Sequence, residues 1–350
     1  MLNLNRDTLF YIRNFGQILA SILKSSYLGI FLAISTLFLN KKLSLNKNTP
    51  EITIIFIIPL AIYCLLVYFL YSDSFYSFAR SIILWFLPLT YYLLNSKSID
   101  SSIYKKILVI IVIFGLVDYF FINFTSISFF DDDRLRAKGL FGLIRTEGVS
   151  HNSSISSATI VAVYLKTFFE FGFSRFYFIM ALIGIVITGS GVGFLLFSLV
   201  FLLFILNRKY QILFLLLALF FLLTIFFLSV SVELGFNLPR KISLEYISYL
   251  VDLKLQQLTI LINSEDFLMG KIVTENIVIT SGDFGIFSLF ALGFFPALLL
   301  LNFLFYLFYR TFLNNNASSF FVLFIANLHY PVLVDPFSAF IMANLAVERK

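Results

Sequence analysis

Long apolar runs with almost no charged residues constrain this chain more than any other feature. The clearest runs lie at 28–39, 52–71, 81–94, 107–122, 192–206, 212–230 and 284–309, with weaker ones at 155–165, 176–188, 320–334 and 336–347. About 20 apolar residues cross the hydrocarbon core of a bilayer as a helix, and a helix satisfies its own backbone hydrogen bonds in lipid. The pattern predicts an all-α, polytopic integral membrane bundle of about ten or eleven transmembrane helices.

The composition supports the membrane class. The 350 residues are 60% hydrophobic and 13% charged, whereas a soluble domain carries about 25% charged residues. The apolar runs do not alternate with polar residues, as the strands of a membrane barrel would. The formal net charge of +6 comes without a basic stretch interleaved with aromatic residues, so no nucleic-acid partner is expected.

Basic residues in the short connections predict the orientation of the bundle. They recur on alternate connections, at 41, 42 and 47, at 97, 105 and 106, at 166 and 175, at 208 and 209, and at 310. The positive-inside rule assigns that side to the cytoplasm. Two long polar segments, about 123–154 and 231–283, then lie outside, within one membrane domain that covers residues 1–350.

The N-terminal basic residues Arg6, Arg13 and Lys24 do not agree with this orientation. Two interpretations remain open. Either a further short span lies between Leu9 and Leu23, or the N-terminal segment is a helix at the membrane interface.

Several function classes lack their motifs in this chain. There is no G-x-x-x-x-G-K-[ST] loop for nucleotide phosphates and no G-x-S-x-G turn for a nucleophilic serine. The two histidines and one cysteine are too few for a structural zinc site. No cofactor and no metal are therefore expected.

The first outer segment concentrates candidate catalytic residues. Arg134, Arg136, Arg145, Glu147 and His151 occur within about twenty residues. Guanidinium groups bind phosphate oxygens in pairs and stay charged at any working pH, so the arginines are suited to a diphosphate at the membrane surface. His151, or else Glu147, is a candidate base for a hydroxyl proton. The alternative interpretation is a solvated charged loop.

Three further residues complete the candidate binding set. Arg240 precedes a stretch, 244–261, with the spacing of an amphipathic helix and is a candidate second anion contact. Lys271 lies in the same outer segment. His329 lies in LHYPVLVDPF near the C-terminus, where a packing role is the alternative to substrate binding.

Four short motifs occur in order along the last two thirds of the chain. They are Arg145-Thr-Glu-Gly148-Val-Ser-His151-Asn152, Thr188-Gly-Ser190-Gly-Val-Gly193-Phe, Phe267-Leu-Met-Gly270-Lys271 followed by Asp283-Phe-Gly285 and Gly293, and Leu328-His329-Tyr330-Pro331 with Asp335-Pro336. In order and setting they resemble the motifs of the Wzy-type polymerases of bacterial O-antigen and capsular polysaccharide, within the superfamily that includes O-antigen ligases.

The resemblance implies a metal-independent glycosyltransferase at the outer face of the bacterial inner membrane. Its substrate would be an oligosaccharide repeat unit on undecaprenyl diphosphate, and a chain-length regulator and a flippase would be its partners. Arg145 would contact the leaving diphosphate with help from Arg136 or Arg240, and His151 or Glu147 would be the base. Arg134, Lys271 and His329 would bind substrate.

Two other functions remain as alternatives. An O-antigen ligase would differ from the polymerase in its acceptor only. A flippase for lipid-linked oligosaccharide would show internal symmetry and charges within its spans, because ionisable groups in spans mark a transport pathway, and the sequence shows neither feature.

Overall fold

The chain's structure is a computed structural model, which describes residues 6–39, 48–95, 101–125, 143–150, 152–205, 248–249, 252, 256, 268–270, 272, 285–328 and 330–347. In chain order the α-helices are α1 (Arg6–Ile22), α2 (Ser26–Leu39), α3 (Thr49–Leu70), α4 (Phe75–Trp85), α5 (Leu87–Leu94), α6 (Ser101–Phe124), α7 (Ser153–Phe171), α8 (Arg175–Thr188), α9 (Gly191–Ile205), α10 (Phe294–Leu313), α11 (Ala317–Asn327) and α12 (Pro336–Ala346). Short 3₁₀ helices lie at Ser72–Ser74, Gly148–Ser150, Gly285–Leu292 and Val332–Val334.

The described helices include candidates for membrane spans. By length and apolarity α3, α6 and α10 can cross a membrane, and α4 with α5 make a fourth candidate if this pair, bent by 56°, is one span. Helices α2, α8, α9, α11 and α12 are apolar but shorter. Within the described ranges, the structure confirms an all-helical chain with three or four such helices.

The structure corrects the predicted element boundaries at three points. The run 81–94 is not one straight helix, because the chain bends at Phe86. Pro88, two residues later, has no N–H to bond the carbonyl of Leu84, and its ring crowds that carbonyl. The run 284–309 begins with the 3₁₀ helix Gly285–Leu292, and its α-helix starts only after Gly293. The run 320–334 ends its helix at Asn327.

Helices α7 and α12 form the centre of the bundle. Every residue from Ser153 to Thr167 in α7, and every residue of α12, is buried. Helix α12 packs against α1, α2, α5, α7, α10 and α11. A hydroxyl pair joins the two helices, since Thr159 Oγ1 and Ser338 Oγ lie 2.8 Å apart. The N-terminal ends of these helices therefore share one end of the bundle.

A buried polar cluster marks the opposite end. Lys166, in the last turns of α7, donates from Nζ to Asn316 Oδ1 over 2.5 Å and forms an ion pair with Glu170. Asn316 Nδ2 in turn donates to the carbonyl of Leu345 at the end of α12. Lys105 Nζ lies 3.4 Å from the ring centroid of Phe171, at the end of α7. The basic residues Lys105 and Lys166, predicted to share one side, therefore lie at the same end.

The N-terminal segment is part of the bundle. Helix α1 packs against α2 and α12, and its Asn14, Gln17 and Ser21 are buried. Gln17 donates from Nε2 to the carbonyl of Gly29 and accepts from the hydroxyl of Tyr91. Residues 9–22 thus belong to a helix that packs in the bundle, and α1 is not among the described helices that are long and apolar enough to cross a membrane.

Candidate functional site

The side chain of Asp335 is the centre of a buried hydroxyl cluster. Its Oδ2 accepts from the backbone N–H of Ser338 at 2.8 Å, from Ser338 Oγ at 2.6 Å and from Ser150 Oγ at 3.2 Å. Its Oδ1 accepts from Ser21 Oγ at 2.5 Å. Three parts of the chain, around positions 21, 150 and 338, thus converge on one carboxylate.

Local sequence explains why this carboxylate is there. Asp335 is the N-cap of α12 and Pro336 is the first residue of the helix, a combination that favours a helix start because both residues suit the unpaired N–H groups. The side chain is 7% exposed. Burial raises the pKa of the Asp335 carboxyl, and the hydrogen bonds from Ser21, Ser338 and Ser150 oppose that rise.

The carboxylate lines a cleft of about 430 Å³, within the size range of small-molecule sites. The cleft combines hydroxyl groups, two cationic side chains and apolar walls. Its lining residues are Ser21, Lys24, Ser25, Ser26, Tyr27, Arg80, Leu84, Ser150, Ile155, Val334, Asp335 and Pro336.

Three helix N-termini meet at this cleft. Asp335 caps α12, Asn152 caps α7 by accepting from the N–H groups of Ser154 and Ile155, and Ser25 caps α2 by accepting from the N–H of Leu28. The N-terminal end of a helix carries a partial positive charge and attracts anions. The cleft lining also holds two cationic side chains, Lys24 and Arg80, against one carboxyl group, Asp335, a balance that favours an anion.

Lys24 adopts a backbone conformation that lysine seldom takes. Its φ is +50°, and it occupies the left-handed position that ends α1, with Lys24 N–H bonded to the carbonyl of Ser21 and Ser25 N–H to that of Ala20. Glycine is the usual residue there, and a side chain costs on the order of 1 kcal/mol. A strained residue in a cleft lining points to a role for its side chain.

Arg80 reaches the cleft from another part of the chain. It is an exposed residue on α4, one turn before the cleft residue Leu84. The axes of α4 and α5 differ in direction by 56°. The two cationic side chains of the cleft therefore come from separate elements, the α1–α2 turn and α4.

Of the residues predicted from the sequence, Arg145 and Glu147 lie in the described segment 143–150. Both are half-buried, and neither belongs to the cleft lining. The cleft residue contributed by this segment is Ser150, which directly precedes His151. Arg134, Arg136, His151, Arg240, Lys271 and His329 lie outside the described residues, as do most of 244–261.

The segment 143–150 is tied to the bundle at several points. Asn123 exchanges two hydrogen bonds with the backbone of Ile144, at 2.8 and 2.9 Å. Thr146 N–H donates to the carbonyl of Ile187, and Thr146 Oγ1 donates to Oδ2 of the buried Asp118 at 2.6 Å. Ser156 Oγ donates to the carbonyl of Glu147. These bonds fix the chain that leads into the cleft.

We expect Thr146→Val to lower stability by about 1–3 kcal/mol, because it removes the hydroxyl bonded to a buried carboxylate at nearly constant volume. The Thr146 oxygen also accepts from the N–H of Gly148 at 3.0 Å. Thermal unfolding in detergent measures the loss. The matched control is Thr125→Val, whose hydroxyl bonds within exposed helix; an equal effect of both variants would contradict this role.

The structure brings together parts of three of the four sequence motifs. A Cβ added at Gly148 would lie 2.7 Å from Ser156 Oγ, and a Cβ added at Gly193 would lie 2.5 Å from Ser157 Cβ. Ser190 Oγ lies 2.8 Å from Ser154 Oγ. These contacts are all with the first turns of α7. The Asp335 motif joins them through Ser150. The glycines of the remaining motif, Gly270 and Gly293, contact each other.

Three charged residues of the cleft are not among those predicted from the sequence. In the sequence, Lys24 is a basic residue that disagrees with the predicted orientation, and Arg80 lies directly before an apolar run. Asp335 occurs in the last of the four motifs, and Asp-Pro before an apolar run is a signal for a helix start.

Among the described residues, no group of three or more His, Cys, Asp or Glu side chains could hold a metal ion. No protein-family profile, no characterised protein and no solved structure matches the chain at a significant level.

Proposed function

We propose that this protein is a membrane glycosyltransferase that uses a polyprenyl-diphosphate-linked oligosaccharide, and that it joins repeat units into a surface polysaccharide. The observation that carries the proposal is the cleft in which Lys24 and Arg80 accompany a buried carboxylate at three helix N-termini. Such a transfer needs cationic groups for a departing diphosphate and a group that accepts a proton from the attacking hydroxyl.

The position of the cleft supports a site at the outer face. Ser150 belongs to the segment that the charge pattern assigns to the outside, and it lines the cleft. Lys105 and Lys166, on the side assigned to the cytoplasm, lie at the opposite end of α7. The protein would thus be a multi-pass protein of the bacterial inner membrane, with a bundle of about ten or eleven spans and its cleft on the side where lipid-linked repeat units are polymerised.

The walls of the cleft suit an amphiphilic donor. Leu84, Ile155 and Val334 are apolar, whereas Lys24 and Arg80 are charged. Leu23, in the α1–α2 turn, and Tyr27, a cleft residue in the first turn of α2, expose 57% and 51% of their surface. A diphosphate in the cleft could therefore extend its prenyl chain along an apolar surface into the bilayer.

Deletion of the gene in its native host tests this function. We expect the surface polysaccharide on a gel to collapse from long chains to a single repeat unit. Complementation with the wild-type gene should restore long chains, and Lys24→Ala/Arg80→Ala, at equal protein level in the membrane, should not.

Two other outcomes would contradict the polymerase. Loss of all surface repeat units with polymerised lipid-linked chains accumulating would indicate a ligase. Loss with single lipid-linked units accumulating would indicate a flippase. Complementation with Arg145→Ala, in the same assay as Lys24→Ala/Arg80→Ala, tests the arginine that the resemblance implies as the leaving-group contact. Normal chain lengths in this variant would show that Arg145 has no part in the mechanism.

A further inference from the structure

We infer that Asp335 is the group that takes the proton from the acceptor sugar hydroxyl, and that Ser21, Ser150 and Ser338 hold its carboxylate in position. This inference rests on the proposed glycosyl transfer. It replaces His151 and Glu147, the bases suggested by the sequence, with a residue that lines the cleft.

The hydrogen bonds fix the orientation of the Asp335 carboxylate and leave Oδ1 able to accept one more. Among the described residues, Oδ2 accepts three hydrogen bonds, two from Ser338 and one from Ser150, which share its two lone pairs, whereas Oδ1 accepts one, from Ser21. Oδ1 has a second lone pair, so it can accept a further hydrogen bond from a ligand. The side chain is nearly buried but belongs to the cleft wall.

The surroundings match the needs of a base. A general base must reach the proton within hydrogen-bond distance, and a bonded cation would lower its basicity. Among the described residues, the hydrogen-bond partners of Asp335 are hydroxyls and one backbone N–H. Within the described residues, Asp335 is the one carboxylate in the cleft lining.

The reaction step balances as follows. The acceptor oxygen attacks the anomeric carbon of the donor sugar and forms the new C–O bond, while its proton passes to the Asp335 carboxylate. The bond from the anomeric carbon to the phosphate oxygen breaks, and its electron pair leaves with the lipid diphosphate. Lys24 and Arg80 stabilise the charge that develops on the leaving group.

Asp335→Asn separates this role from a structural one. Asparagine caps helices as well as aspartate does, so the start of α12 should be preserved while the proton acceptor is lost. Purified protein in liposomes would receive lipid-linked repeat units isolated from the deletion strain. We expect kcat to fall at least ~100-fold, with KM for the donor and binding of undecaprenyl diphosphate within about threefold of wild type, since neither requires the base.

Asp118→Asn is the matched control, because it makes the same change at a buried carboxylate outside the cleft. It should keep wild-type transfer, since an amide oxygen still accepts from Thr146. Asp335→Ser, which also provides a good N-cap, is the second test variant and should show the same loss as Asp335→Asn.

The outcomes distinguish failure of the inference about Asp335 from failure of the proposed function. A folded Asp335→Asn or Asp335→Ser protein with kcat within tenfold of wild type would overturn the base. Failure of both to fold, while Asp118→Asn folds, would assign Asp335 to the fold and also overturn it. Absence of transfer by the wild-type protein would instead overturn the proposed function.

Discussion

Replacing Lys24 by glycine is expected to stabilise the protein while weakening its binding of diphosphate. Glycine adopts the observed φ of +50° without steric cost, so the α1–α2 turn should gain on the order of 1 kcal/mol. The same change removes a cation from the cleft. Loss of one charge-assisted contact corresponds to roughly tenfold weaker binding of undecaprenyl diphosphate or more.

Two measurements on the same preparation test this prediction: thermal unfolding in detergent and equilibrium binding of undecaprenyl diphosphate. Asn315→Gly is the matched control, because Asn315 also has a left-handed backbone, with φ of +57°, but lies next to Asn316 at the end opposite the cleft. It should leave binding unchanged and gain less stability than Lys24→Gly, because asparagine tolerates the left-handed conformation. If Lys24→Gly bound the lipid as tightly as wild type, Lys24 would have no part in the site.

Replacing Gly270 by alanine is expected to have the largest effect on folding. A Cβ there would lie 2.3 Å from the backbone nitrogen of Gly293 and 2.5 Å from the carbonyl oxygen of Ala291. Neither backbone atom can move aside cheaply, and φ of +83° adds strain. We expect a loss of about 3 kcal/mol or more, measured as a lower unfolding temperature or as failure to recover folded protein.

Gly172→Ala is the control for the backbone conformation alone. Gly172 has a similar φ, +77°, but a Cβ there meets nothing within 4 Å. It should therefore lose only the conformational part of the cost, about 1–3 kcal/mol, because φ of +77° with ψ of −173° is a conformation that hardly any residue but glycine adopts. Equal losses in the two variants would show that the contact between Gly270 and Gly293 is not tight in solution.

The apolar runs predict described helices such as α3, α6 and α10, because a helix that crosses a membrane must be a continuous apolar run. The predicted run 212–230 lies outside the described residues. The starts of α7 and α12 are also predictable from the sequence, since Asn152 and Asp335 are residue types that favour the N-cap position of a helix. The bend at Phe86 and the 3₁₀ helix Gly285–Leu292 were not predicted. The bend lies two residues before Pro88, which is a local signal, whereas Gly293, at the end of the 3₁₀ helix, contacts Gly270, which is distant in sequence.

The candidate site was predictable only in part. The charged residues of the first long outer segment include Arg145 and Glu147, and the structure places Ser150, from the same segment, in the cleft. The cleft also draws on Lys24, Arg80 and Asp335, which are separated by up to about 300 positions. No local pattern joins them, because their proximity arises from the packing of α1 against α12 and of α4 against the 3₁₀ helix Val332–Val334.

The most direct test of the account is transfer by the purified protein. Wild-type protein and the Lys24→Ala/Arg80→Ala double variant would be placed in liposomes with undecaprenyl-diphosphate-linked repeat units, and the products would be separated by length. The account predicts chains of two or more units and release of undecaprenyl diphosphate with wild type, and at least ~100-fold less product with the double variant, from two lost charge-assisted contacts. Units that move across the bilayer without being joined would contradict it, as would equal product from the double variant.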